Sequence, residues 1–209
     1  MPQDPDRPMY RWREMTSDQR QQTLDYRRSS RLPWHSPPHY QADTAYYLIT
    51  AACYEHQHVI GVSDARMRAF EQQLVGTLTA HTLSLFAWNV LPNHYHALVA
   101  VLEVKRLLHE LGQLHGRTAY EWNGEDDRRG RKVWCNAAET AMKSEGHFWA
   151  SFNYVLHNAV RHGYAQRWQD WPYSNAEQYL EQVGRELALR RWRAYPLFDY
   201  GNDWDPLDF

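Results

Sequence analysis

An α+β fold is predicted, one antiparallel sheet with helices packed against it. Three observations point there. The runs 45–53, 83–90 and 94–101 are short, β-branched and aromatic, and read as strands. Segments of about 20 residues with apolar side chains at helical spacing separate or follow them. Only Leu91-Pro92-Asn93 lies between the second and third runs, so that pair reads as a hairpin. The 209 residues are 43% hydrophobic, enough for one substantial core.

Residues 1–42 are polar, carry the Pro-rich stretch RLPWHSPPHY, and read as an N-terminal arm. AYYLITAAC (45–53) is the first strand. A helix over 62–81 starts at the N-cap Ser63 and sets Met67, Phe70, Leu74 and Leu78 on one face. LSLFAWNV (83–90) and HYHALVAV (94–101) form the hairpin. A second helix is expected over 104–124, weakened by Gly112 and Gly116. The charged loop EDDRRGRK and the tripeptide VWC follow. A third helix is expected over 147–164 and ends near Gly163, DWPYSN makes a turn, and a last helix starts at Ala176. The expected division is an arm over 1–42, a main domain over 43–180, and a C-terminal helix with an acidic tail over 181–209.

Several function classes are excluded early. No apolar run approaches the roughly 20 residues of a membrane helix, and the opening MPQDPDRPMYRWREM lacks the apolar centre of a signal peptide. A cytoplasmic protein with no membrane partner is expected. Two cysteines, Cys53 and Cys135, are too few for a disulfide framework or a structural zinc site. Net charge is −2, which argues against an indiscriminate coat on nucleic acid. Taking the four aspartates of the tail 196–209 from the 25 acidic residues leaves 21 against 23 basic ones. Arg27, Arg28 and Arg31 form one basic group, and Arg128, Arg129, Arg131 and Lys132 another. Each could touch phosphates or be solvated surface.

The stretch LPNHYHALVAV holds the chemistry. Residues i and i+2 of a strand point the same way, so His94 and His96 sit about 6–7 Å apart at Cα and can converge on one divalent ion. Tyr95, Ala97, Val99 and Val101 form the opposite, apolar face. Among 12 histidines such a pair also arises by chance, as an ordinary strand end. The helical stretch NYVLHNAVRHGY adds Tyr154 and Asn158, four apart on one face. The Asn158 amide oxygen suits a hard ion such as Mg²⁺ or Mn²⁺. A phenol one turn away could attack a phosphodiester bound there, or could simply pack. Asn93 shapes the turn or touches the ion's surroundings, and the turn is the preferred reading.

LPNHYHALV resembles the His-hydrophobic-His strand of the HUH endonucleases. NYVLHNAVRHGYAQRWQDWPYS resembles the catalytic-helix region of the REP-associated tyrosine transposase group, and RLPWHSPPHYQADTAYYLITAAC its opening. The resemblance covers about residues 31–180 and rests on the order and spacing of these motifs. It implies a ferredoxin-like sandwich with the two histidines on a central strand. It implies His94, His96 and Asn158 as ligands of Mg²⁺ or Mn²⁺ and Tyr154 as nucleophile. Members cut and rejoin single-stranded DNA near hairpins, here through a 5′-phosphotyrosine. Tyr95 stands where an aliphatic residue is usual, and Ala159 where a proline often follows the asparagine.

Single-stranded or hairpin DNA is therefore the expected partner, met by a monomer or homodimer. Arg27, Arg28, Arg31, Trp34 and the 128–132 cluster are candidates for phosphate contact and base stacking. Trp168, Trp171 and Tyr173 are expected to pack the C-terminal turn against the sheet. The base that takes the phenol proton is unassigned, with His157 and His162 nearby in sequence. The alternatives are a DNA-binding protein that has lost cleavage and a metal-dependent hydrolase.

Overall fold

A computed structural model describes residues 16–19, 21, 22, 25 and 45–198. Arg27, Arg28, Arg31 and Trp34 lie outside the described residues, as does the tail from 199 onward. Four strands form one antiparallel sheet: β1 (Tyr46–Ala52), β2 (Ser84–Val90), β3 (His94–Ala100) and β4 (Ala138–Ala141). Their order is β2-β3-β1-β4. Helix α1 (Asp64–His81) links β1 to β2, and α2 (Val104–Glu125) links β3 to β4. Helices α3 (Glu145–Arg161) and α4 (Ala176–Ala194) complete the chain.

The alternation read along β3 divides the core. Tyr95, Ala97, Val99 and Val101 join the larger apolar cluster, with Phe70, Leu74 and Leu78 of α1 and Leu107, Leu111 and Leu114 of α2. Leu98 faces the other way, into a second cluster with Tyr154, Val155 and Leu156 of α3. So α1 and α2 cover one face of the sheet and α3 the other. The Tyr95 hydroxyl meets His115 Nε2 at 3.1 Å, and the His115 ring stacks on Trp134 with centroids 4.3 Å apart.

Several details differ from the expectations. Strand β4 was not foreseen, because AETA has one β-branched residue and no alternation; pairing with β1 makes it a strand. Helix α3 starts at Glu145 because the Ser144 hydroxyl accepts from the His147 N–H. It ends at Arg161 rather than 164, and Gly163 turns the chain with φ 76°. In α4, Gly184 has φ 77° and interrupts the helix. The expected boundary at 180 falls inside that helix. Trp171 Nε1 donates to the Val90 carbonyl at 2.9 Å, and the Val90 N–H to the Tyr173 carbonyl at 2.9 Å, so this turn closes on β2. No helix among the described residues is long and apolar enough to cross a membrane.

Candidate active site

Strand β3 and helix α3 bring the four predicted chemical residues together. His94 and His96 have ring centroids 5.0 Å apart. The Tyr154 hydroxyl lies 3.3 Å from His96 Nε2, and Asn158 Oδ1 lies 3.1 Å from His94 Nε2. All four residues have no exposed surface. The i and i+4 positions on α3 each face one histidine of the i and i+2 pair on β3, so helical and strand periods meet at one point.

Neighbouring side chains hold this arrangement. Asn89 of β2 pairs in register with His96, and its Nδ2 donates to the Val155 carbonyl at 2.9 Å. That bond ties the Tyr154 turn of α3 to the sheet. Thr50, the cross-strand partner of His96 on β1, sets its hydroxyl 2.8 Å from His96 Nδ1. Asn93 Oδ1 meets His94 Nδ1 at 2.7 Å. At the C-terminal end of α3, the His162 ring lies 4.9 Å from that of His94. The Arg161 guanidinium lies 5.7 Å from the Tyr154 ring centre.

The donor set fits a hard divalent cation. Asn93 Oδ1 only accepts, so the facing Nδ1 of His94 carries a proton, and in the neutral ring Nε2 keeps its lone pair. That lone pair faces Asn158 Oδ1, another acceptor, at 3.1 Å. Two acceptors so placed repel unless a proton, a rotated Asn158 amide or a cation joins them. Asn158 Nδ2 is buried without a hydrogen-bond partner, so only the oxygen end of this amide is engaged. Among the described residues no group of three or more His, Cys, Asp or Glu side chains is arranged to hold a metal. A metal held here would need the Asn158 amide oxygen beside the two histidines, and no carboxylate cluster of a hydrolytic centre is present among those residues.

The two histidines left open as bases are now located. His157 stacks on Trp192 of α4 with centroids 3.7 Å apart, and its Nδ1 lies 3.0 Å from the Asn153 carbonyl. It is turned away from Tyr154, and burial pushes its pKa down to about 4. A cavity of about 490 Å³ lies on that side, lined by His157, Trp168, Tyr179 and Trp192 among others. His162 is beside the site, at His94.

The basic cluster 128–132 divides in two. Arg131 donates to Asp126 at 2.7 Å and to Asn123 at 2.9 Å. Arg66, buried in α1, donates to the same carboxylate at 2.5 Å and 3.1 Å. The Arg66 hydrogen bond, then that of Arg131, draws the Asp126 pKa down to about 2. Arg131 is thus an internal cation of the loop. Arg128, Arg129 and Lys132 are exposed. Lys132 Nζ lies 4.5 Å from the Tyr54 ring centre, in the 54–56 turn whose His56 ring is 6.1 Å from that of His94. Lys132 therefore borders the site through one turn, a proximity that sequence separation hides, whereas Arg129 packs on Tyr120, 4.6 Å from its ring centre.

No family model matches the chain, and no curated protein does. Among solved structures, it is similar to one described as a REP-associated tyrosine transposase bound to a REP hairpin. The identity is 17% and the TM-score 0.52, over 83% of this chain and 94% of that one. At this identity the likeness is one of fold, a mixed α/β domain with a four-stranded antiparallel sheet.

Proposed function

We propose that the protein is a divalent-metal-dependent DNA strand transferase that cuts and rejoins single-stranded DNA near hairpins, with Tyr154 as nucleophile. One observation carries the reading: a phenol from α3 lies 3.3 Å from one of two paired imidazoles on β3, with an amide oxygen 3.1 Å from the other. The β-α-β-β-α-β order and the sheet order β2-β3-β1-β4 fit a ferredoxin-like sandwich. The solved structure of similar fold is bound to a REP hairpin, which supports a hairpin ligand here.

His94, His96 and Asn158 would hold Mg²⁺ or Mn²⁺. When bound, that ion would supply positive charge to a phosphate oxygen as negative charge develops there. The Tyr154 oxygen gives up its proton and attacks phosphorus in line, the P–O3′ bond breaks, and the departing 3′-oxygen takes a proton. The phosphotyrosine keeps the ester bond, so a second 3′-hydroxyl can attack it and release Tyr154. Positioning of the phenol is the chain's own contribution, through the Asn89 bond to the α3 backbone. Arg128, Arg129 and Lys132 contact phosphates beside the site.

The test uses a labelled hairpin oligonucleotide with a single-stranded flank, in Mn²⁺ or Mg²⁺. A covalent protein–DNA band is expected for the native chain, and none for Tyr154→Phe or with a chelator. Full burial of the four side chains favours a second reading, a binding protein without cleavage. Hairpin binding with no covalent band under any of these ions would select it.

A further inference from the structure

The two imidazoles are not held alike, and the difference lies in the residues behind them. We infer that Asn93 is a positioning residue that sets the ring tautomer of His94, with the turn at 54–56 acting as its anchor. The inference rests on the cation-assisted reading above.

Asn93 is buried. Its Nδ2 donates to the His56 carbonyl at 3.2 Å, which fixes the direction of the amide. Its Oδ1 then faces His94 Nδ1 at 2.7 Å. An amide oxygen has no proton to give, so His94 donates from Nδ1, and the neutral ring then presents Nε2 as a lone pair toward Asn158. The His56 carbonyl reaches Asn93 because Glu55 and His56 both adopt left-handed backbone conformations, φ 54° and 49°. Side chains rarely accept that geometry, and two in succession form a strained turn beside a site. Backbone bonds lock the turn to the hairpin: the Cys53 N–H donates to the Asn93 carbonyl at 2.6 Å, and the His56 N–H to the Cys53 carbonyl at 3.0 Å.

His96 has a weaker device. Its Nδ1 meets the Thr50 hydroxyl at 2.8 Å, and a hydroxyl can donate or accept. Thr50 therefore tolerates either tautomer where Asn93 dictates one. Asn93 is thus set apart from the remaining residues of the Leu91-Pro92-Asn93 turn by its side chain, not by its backbone alone.

Nitrogen-15 NMR of the imidazole rings in the full-length chain, without metal, reads the tautomer directly. His94 is expected to be protonated at Nδ1; protonation at Nε2 alone overturns the inference, and this needs no variant. Asn93→Leu is expected to release the preference and to weaken Mn²⁺ binding, followed by calorimetry, by about 10- to 100-fold. Asn93→Asp keeps the acceptor toward Nδ1 and should retain the tautomer, although it loses the bond to the His56 carbonyl. A folded Asn93→Leu chain with the native tautomer and native Mn²⁺ affinity overturns the inference. A native chain that binds no Mn²⁺ sinks the metal reading instead, while the ring spectrum still decides the role of Asn93.

Discussion

At the scale of single residues, buried rings make the pH dependence of stability specific. Burial pushes the His115 pKa down to about 4 from an ordinary 6.5, and His157 is lowered to about 4 for the same reason. A base whose folded pKa is depressed binds its proton first in the unfolded chain. The stability it contributes is present above pH 6.5 and is lost as pH falls from 6.5 toward 4. For His115 that amounts to something on the order of 3 kcal/mol. His115→Gln, which keeps a partner for the Tyr95 hydroxyl, should flatten the fall in urea midpoint over that interval. An unchanged slope would mean the ring is not held neutral. His94, His96, Tyr154 and Asn158 were legible as a set because strand and helix periods put each pair on one face. Arg131 was not legible as an internal cation, since nothing in RRGRK marks which arginine meets the Asp126 that precedes them.

At the scale of elements, the hairpin turn is the part most exposed to disturbance. A Cβ on Gly61 would lie 2.4 Å from Pro92 Cβ and 2.9 Å from its Cα, while the Gly61 N–H donates to the Pro92 carbonyl at 2.9 Å. Gly61→Ala must push Pro92, and with it Asn93 and His94. A cost of about 1–3 kcal/mol is expected, together with a loss of covalent adduct larger than the loss of folded protein. Thermal melts alongside adduct yield check this, and native values for both would contradict it. The long helices and the hairpin could be read from their periods. Strand β4 could not, because its pairing is supplied by β1, across almost ninety residues of chain. The start of α3 was misplaced by two residues because a serine cap looks no different from a loop serine until its acceptor is used.

At the scale of the whole molecule, charge is the guide. A net charge of −2 gives no general attraction to DNA, so on the proposed function affinity would come from where the cations sit. The fold sets Lys132 against the turn that borders His94, leaves Arg128 and Arg129 exposed on the same loop, and ties Arg131 to Asp126. Replacing the three exposed cations with alanine should weaken binding of all single-stranded flanks alike. It should also reduce the slope of log affinity against log salt by about 2, from roughly 0.7 per phosphate contact. Fluorescence anisotropy over a salt series measures this, and an unchanged slope would place the DNA elsewhere. The most direct measurement is mass spectrometry of the protease-digested product formed with a hairpin substrate and Mn²⁺. A 5′-phosphorylated nucleotide carried by the peptide containing Tyr154 is the result expected. The same adduct on any other residue, or cleaved DNA with Tyr154 unmodified throughout the reaction, would contradict the account.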